Sequence, residues 1–273
     1  MGQLDGRVAV ITGGARGQGR SHAVLLAGEG ADIVLADLAA PLPGLQYPLA
    51  TPGDLAETAE LVRAAGGRCH TVRADVRSRD DMERVAAEAL REFGRIDILL
   101  ANAGIATNGT IADLDERTWR DTVDVDLSGV FHSIKAVLPS MLERRWGRIV
   151  ATSSIVGRMG AAGSGAYAAA KWGVIGLIKS LALEVGESGI TANAVLPSGV
   201  RTDMVMNPAT YRILLPDLEN PTREDAEAMF AEGGGLIEPE EVSRLVLLLV
   251  GPHGGRFNGE ALSISDGMSG GTV

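Results

Sequence analysis

Tyr167 and Lys171 stand four residues apart (171 − 167 = 4) in the run Tyr-Ala-Ala-Ala-Lys, so on a helix they share one face, one turn apart. A phenol ordinarily titrates at about 10 and is a weak base at neutral pH. An ammonium beside it stabilises the phenolate, which lets the hydroxyl trade a proton with an alcohol or carbonyl oxygen. Ser154, 13 residues earlier (167 − 154 = 13), supplies a hydroxyl able to hydrogen-bond that same oxygen and polarise it. The pattern alone also describes an exposed Tyr and Lys on a helix with a serine in a turn. The elements around these residues have to decide.

The element that would bring a reaction partner to them is Val8 to Arg20, VAVITGGARGQGR. A β-branched apolar run breaks into Thr12 and glycines at 13, 17 and 19, and a helix-compatible segment follows at once. Strand, tight turn and helix start present free N–H groups and the positive end of a helix dipole, with no Cβ in the way, which suits a diphosphate. The spacing (17 − 13 = 4, 19 − 17 = 2) differs from the commoner G-x-G-x-x-G, with the same physical logic. Asp37 closes the next apolar strand 18 residues beyond the last loop glycine (37 − 19 = 18). A carboxylate there accepts both ribose hydroxyls of NAD and repels the 2′-phosphate of NADP. Arg16 argues for NADP instead, but the carboxylate acts in the ribose pocket itself.

Along the chain, strands and helices alternate to the end. Short apolar strands are expected at 32–37, 69–75, 98–104, 148–154, 191–196 and 260–265. Helices are expected from Asp54, as a cap, to about 65, from Ser78 to about 93, at 116–142, 166–186 and 239–250. This pattern predicts one α/β domain over 1–273, a doubly wound parallel sheet of about seven strands with helices on both faces and right-handed crossovers. Two segments carry no period. A proline-rich insertion at about 38–53 follows Asp37 and would cover the adenosine, and 198–235 reads as a substrate lid. Asp75 and Val76 fall where an adenine edge can be read, and Asn102, Ala103 and Gly104 form a small-residue turn that admits a ligand.

Composition sets the outer bounds. The 273 residues carry a formal charge of −10, which argues against nucleic acid or an anionic membrane as partner. Cys69 is the only cysteine, so no intrachain disulfide is possible, and the four histidines lack metal-ligand spacing. No basic-then-apolar leader and no bilayer-length apolar run is present, so a soluble cytoplasmic protein is expected. In AAAKWGVIGLIKSLAL nearly every helical face is apolar, more than one sheet contact can cover, which predicts a symmetric homo-oligomer.

Taken together, TGGARGQG, Asp75-Val76, the Asn-Ala-Gly at 102–104, Ser154, Tyr167 to Lys171, PSGVRT from Pro197 and the closing SDGMSGG resemble the short-chain dehydrogenase/reductase family over essentially the full chain. GARGQGRSHAV and the insertion with YPLATPGDLAETAELV resemble its mycofactocin-associated subgroup, which includes carveol dehydrogenase. The resemblance implies a Rossmann-like, homotetrameric, NAD-dependent alcohol dehydrogenase with Ser154, Tyr167 and Lys171 catalytic. It implies cofactor contacts from Gly13, Arg16, Gly17, Gln18, Gly19, Asp37, Leu38, Asp75, Val76, Asn102, Ala103, Gly104, Tyr167, Lys171, Pro197, Val200 and Thr202. It further implies that the insertion holds NAD without exchange and that mycofactocin reoxidises it in place.

Two positions depart from the family pattern. Asp126 stands where the family usually has the proton-relay Asn, and it joins the catalytic candidates as a carboxylate that offsets part of the pull of Lys171 on Tyr167. Ser198 follows Pro197 where the family usually has Gly. Lid residues such as Met204, Val205, Met206, Ile213, Leu214 and Leu215 suggest a hydrophobic, alicyclic or terpenoid alcohol and its ketone. The alternatives are a carbonyl reductase using free NADPH and a catalytically silent NAD-binding protein.

Overall fold

The computed structural model describes residues 2–232 and 235–270. Residues 233 and 234 of the expected lid, and the two ends of the expected domain, lie outside them. Seven strands, β1 (Val8–Thr12), β2 (Asp32–Asp37), β3 (Cys69–Arg73), β4 (Ile98–Ala101), β5 (Gly147–Thr152), β6 (Ile190–Pro197) and β7 (Ala261–Ile264), form one sheet in the order β3-β2-β1-β4-β5-β6-β7. Every neighbouring pair is parallel. Parallel strands covered on both faces read as continuous apolar runs, and all five residues of β1 and all eight of β6 are buried.

The period of two within β1 sorts the core. Val8 and Val10 point into one cluster, with residues of α3 (Arg79–Phe93), α5 (Gly129–Arg144) and α6 (Gly165–Val185). Ala9 and Ile11 point into the other, with residues of α1 (Gly17–Gly28), α2 (Pro52–Ala64) and α9 (Pro239–Val250). Each fully buried Val or Ile contributes about 1.5–3 kcal/mol, so a one-residue slip of β1 would exchange both sets at once. After β3 the chain returns to the far side of β1 to form β4, and the sheet is a doubly wound, Rossmann-like α/β sheet. The reversal opens a crevice at the carboxyl ends of β1 and β4.

Several boundaries differ from the sequence expectation: β4 ends at Ala101 rather than 104 and β5 at Thr152 rather than 154. The α2 helix is capped by Thr51, whose side chain accepts from Asp54 N–H, while Asp54 at the third helical position returns a bond to Thr51 N–H; Asp54 is the second half of a capping box rather than the cap. Strand β3 stops at Arg73, leaving Asp75 in the turn, where Asp81 accepts from its N–H. The helix expected over 116–142 is α4 (Glu116–Val123), a π turn at Asp124–Ser128, and then α5. Between β6 and α9 lie two short helices, α7 (Pro208–Leu214) and α8 (Arg223–Glu232). Among the described residues no helix is long and apolar enough to cross a membrane.

Candidate active site

A cavity of about 390 Å³ opens at the crevice between β1 and β4. Its wall includes Gly13, Arg16, Gly17, Gln18, Asp37, Leu38, Asp75, Val76, Asn102, Ala103, Gly104 and Thr202, all candidates from the sequence. Gly19, Pro197, Val200, Tyr167 and Lys171 of the cofactor candidates are not on that wall, nor are Ser154 and Asp126. A Cβ on Gly19 would sit 2.0 Å from Gly13 O, so this glycine seats the start of α1 against the loop. Gly13 itself has φ +66°, and a Cβ there would meet Ala103 Cα at 2.8 Å.

The fit of a dinucleotide to this wall can be judged from its polar groups. Helix α1 begins at Gly17 after Arg16 with no side-chain cap, so its first N–H groups remain for an anion. Gln18 Oε1 is buried at the cavity without a partner among the described residues. Asp37 accepts from Ala15 N–H (3.0 Å) and Ala39 N–H (2.9 Å), which fixes its carboxylate at the cavity wall. Burial raises its pKa, and those two N–H bonds offset part of the rise. The Arg16 guanidinium is already engaged: it pairs with Asp203 at 2.9 Å and donates to Pro48 O. It is therefore not a spare cation waiting for a 2′-phosphate.

Thr12 and Asn102 hold the crevice open. Thr12 Oγ1 accepts from the N–H groups of Asn102 (3.1 Å) and Ala103 (3.2 Å). Asn102 Nδ2 donates to Thr12 O and Gly13 O, and its Oδ1 accepts from Thr152 Oγ1. One side chain thus ties the ends of β1, β4 and β5 together. Thr202 closes the opposite edge, its methyl 3.2 Å from where a Gly17 Cβ would lie. Ser198 N–H donates to Ile264 O at 3.0 Å, so the turn after Pro197 is anchored to β7 with serine in place of the usual glycine.

The four candidates for chemistry gather next to Gly104 of the cavity wall, where a Cβ on that glycine would lie 3.3 Å from Lys171 Nζ and 3.5 Å from Asp126 Oδ2. Ser154, in the turn after β5, faces Tyr167 on α6 closely enough for its hydroxyl to lower the phenol pKa, and its Oγ accepts from Val156 N–H at 3.2 Å. Lys171, one turn along α6, has its Nζ 5.4 Å from the Tyr167 ring centroid and donates to Thr152 O at 3.0 Å. Asp126, on the π turn, lies 3.2 Å from the same Nζ and accepts from Ile105 N–H at 2.8 Å. A π turn carries one extra residue in the helix ring, and here it turns Asp126 toward α6.

Electrostatics in this cluster differ from the simple Tyr-Lys picture. Burial pushes the Tyr167 phenol above its ordinary value; Lys171 pulls it down, Asp126 pushes it up, and the Ser154 hydroxyl pulls it down again. Lys171 alone does not make Tyr167 acidic, because burial outweighs its pull and Asp126 offsets part of what remains. Burial opposes the charge on Lys171, but the carboxylate of Asp126 more than restores it and its pKa stands raised.

Sequence reasoning missed three contributors. Tyr47 reaches in from the insertion: its ring is 7% exposed, it lines the cavity, and its hydroxyl oxygen accepts from Ala106 N–H at 3.0 Å. A single aromatic within a proline-rich loop was the available signal. Arg77 grips Asp75 at 2.7 Å and Asp121 at 2.7 Å, so Asp75 meets the cavity as half of an ion pair. Thr12 looked like a strand end and is a hub of the β1–β4 junction.

A parallel sheet with a glycine-rich first turn, an uncapped helix start at the crevice and a Ser-Tyr-Lys cluster next to its wall defines a nucleotide-binding α/β oxidoreductase. The short chain dehydrogenase family model matches residues 7–211, and the chain belongs to that family. It is 42% identical to (−)-trans-carveol dehydrogenase of Rhodococcus erythropolis, covering 98% of this chain and 99% of that one. Carveol dehydrogenase from Mycobacterium avium, solved in complex with NAD, superposes with a TM-score of 0.94 at 41% identity, covering 97% of this chain and 98% of that one. A short chain dehydrogenase from Mycobacterium paratuberculosis bound to NAD gives 0.86 at 33% identity, with coverage of 98% and 100%.

Proposed function

We propose that this protein is an NAD-dependent dehydrogenase that interconverts a hydrophobic secondary alcohol, alicyclic or terpenoid, and its ketone. The observation that carries the reading is the meeting of Ser154, Tyr167, Lys171 and Asp126 beside Gly104, which lines a cavity suited to a dinucleotide. Relatives named for carveol oxidation and for bound NAD support the same assignment. NAD supplies a hydride acceptor when bound. Tyr167 takes the alcohol proton, Ser154 holds the alcohol oxygen, and Lys171 keeps the phenol within reach of the phenolate state. The Asp37 carboxylate and the engaged Arg16 favour NAD over NADP.

The cofactor in this reading is retained. The insertion at 38–53 is fastened at two points, by Tyr47 to Ala106 N–H and by Pro48 O to Arg16, and Arg16 extends the fastening to Asp203 of the segment at 198–235, the proposed substrate lid of this single domain. Mycofactocin, carried over with the subgroup, is the external oxidant in this proposal, and the working form is a cytoplasmic homotetramer. Large apolar side chains left exposed on α5 and α6, Phe131 at 45%, Trp172 at 48% and Leu183 at 89%, support a covered face. Denaturing the purified protein tests retention: about one NAD(H) per chain is expected in the supernatant. Reduction of that bound NAD by a panel of carveol and other cyclic alcohols tests the activity, and Tyr167→Phe should lower the rate by about 100-fold or more. Equal rates in both proteins would leave a silent NAD-binding protein.

A further inference from the structure

Asp126 and Lys171 form an ion pair sealed from solvent, with the Asp126 side chain fully buried and that of Lys171 only 4% exposed. The carboxylate is half satisfied. Oδ1 holds Ile105 N–H, whereas Oδ2, 3.2 Å from Nζ, has no directed hydrogen bond among the described residues. Gly104 lines the cavity next to the pair: a Cβ there would lie 3.3 Å from Nζ and 3.5 Å from Oδ2. The groups facing the carboxylate are Lys171 and Tyr167 from α6, Tyr47 from the insertion and the Ile105 N–H. One of them is a cation, and one carboxylate lone pair is free to carry a proton.

We propose that Asp126 stores the proton liberated by alcohol oxidation, so that the site completes a half-reaction without releasing that proton to water. The inference rests on the reading of Tyr167 as acid/base. As the alcohol carbon gives up its hydrogen with both electrons to NAD, the O–H bond breaks and its proton goes to Tyr167 Oη. The proton originally on Tyr167 goes to Lys171, whose Nζ lies 5.4 Å from the phenol ring centroid, and Lys171 hands one of its own to Asp126 Oδ2 at 3.2 Å. Lys171 remains an ammonium and Tyr167 a phenol, while the carboxylate becomes a carboxylic acid. The cofactor ring loses one positive charge and Asp126 loses one negative charge, so the net charge of a poorly solvated cleft is unchanged. Burial already drives Asp126 toward its protonated form, with Lys171 and the Ile105 N–H opposing, and loss of the ring charge removes a further opposing attraction. In the reverse half-reaction the proton returns along the same groups to the ketone oxygen.

Proton counting tests this. Protein carrying NAD+ is pulsed in weak buffer at pH 7 with carveol, or with whichever panel alcohol reduces the bound NAD fastest, and NADH absorbance and a pH indicator are read together. The wild type is expected to release well under half a proton per NADH, and Asp126→Asn close to one. Infrared difference spectra of the wild type should gain a protonated-carboxyl band on reduction that Asp126→Asn lacks. A full proton per NADH from the wild type overturns the store whether or not the variant folds. The Tyr167 reading fails separately, by undiminished NADH formation in Tyr167→Phe; a full proton with a dead Tyr167→Phe removes the store alone.

Discussion

Arg16 Nη1 lies 2.9 Å from Asp203 Oδ2, joining the glycine-rich turn after β1 to the segment after β6 across the mouth of the cavity. The same guanidinium donates to Pro48 O on the insertion, so one side chain clasps three segments. The two bonds are unequal in weight. Asp203 is 67% exposed, and an ion pair so open to water contributes about 0.2–1 kcal/mol. Asp203→Ala is therefore expected to speed release of bound NAD by no more than about fivefold. Arg16→Ala, which also frees Pro48 O, should speed it by about tenfold or more. Stopped dilution of the loaded protein into a trap for free NAD reads both rates, and identical effects of the two variants would place the whole restraint in the ion pair.

The choice between NAD and NADP should rest on Asp37. Its carboxylate is fixed by Ala15 and Ala39 N–H and lines the cavity. Removing its charge while keeping an acceptor oxygen, as in Asp37→Asn, lifts the repulsion of a 2′-phosphate, a dianion a few ångströms away. The preference for NAD is expected to fall by about 10- to 100-fold. Calorimetric titration of dinucleotide-free protein with each cofactor measures the ratio. An unchanged ratio would move the discrimination to the engagement of Arg16.

How much of this was legible without coordinates depends on which forces leave a trace in composition. The sheet and its flanking helices were, because parallel strands such as VAVIT and ITANAVLP must be apolar throughout and Ser78, Gly66 and Pro239 punctuate the helices. The Tyr167–Lys171 face was, since a spacing of four is fixed by helix geometry. The π turn at Asp126 was not: one added residue leaves the periodicity of 116–142 looking unbroken while rotating a carboxylate onto Lys171. Nor was the path of the insertion, whose prolines announce a loop but not that Tyr47 folds back onto Ala106. Thr51 and Asp54 show a finer failure. Both halves of a capping box are good caps, and only the backbone tells which one comes first.

Tyr47 offers a direct probe of the insertion. Tyr47→Phe keeps the buried ring and removes only the acceptor for Ala106 N–H, 3.0 Å away. A partly buried N–H left without its acceptor costs about 1 kcal/mol, the low end of the range because water can reach part of the site. For a chain of this size that lowers Tm by about 2–4 °C. If the insertion retains NAD, the loss appears chiefly as faster NAD release from the loaded protein; if the bond only stabilises the fold, Tm falls equally in loaded and dinucleotide-free protein. Calorimetric scans of both forms distinguish these outcomes.

Acid should weaken the fold through His22. This side chain is buried between α1 and α9, its Nδ1 2.7 Å from Ser243 Oγ and its Nε2 without a partner among the described residues. Burial lowers its pKa from 6.5 to about 3. In the unfolded chain the imidazole takes up a proton as pH falls through 6.5, while the folded chain does not until about 3, so the unfolded state binds more protons across that window. Stability from this group is complete above 6.5 and is lost progressively below it, up to about 5 kcal/mol in all. His22→Asn keeps a polar atom for Ser243 but cannot titrate. It should be less stable than the wild type at pH 7, through lost packing, and the gap should narrow steadily in urea melts taken at pH 7, 6, 5 and 4. A gap that stays constant over that series would mean that His22 is protonated within the fold.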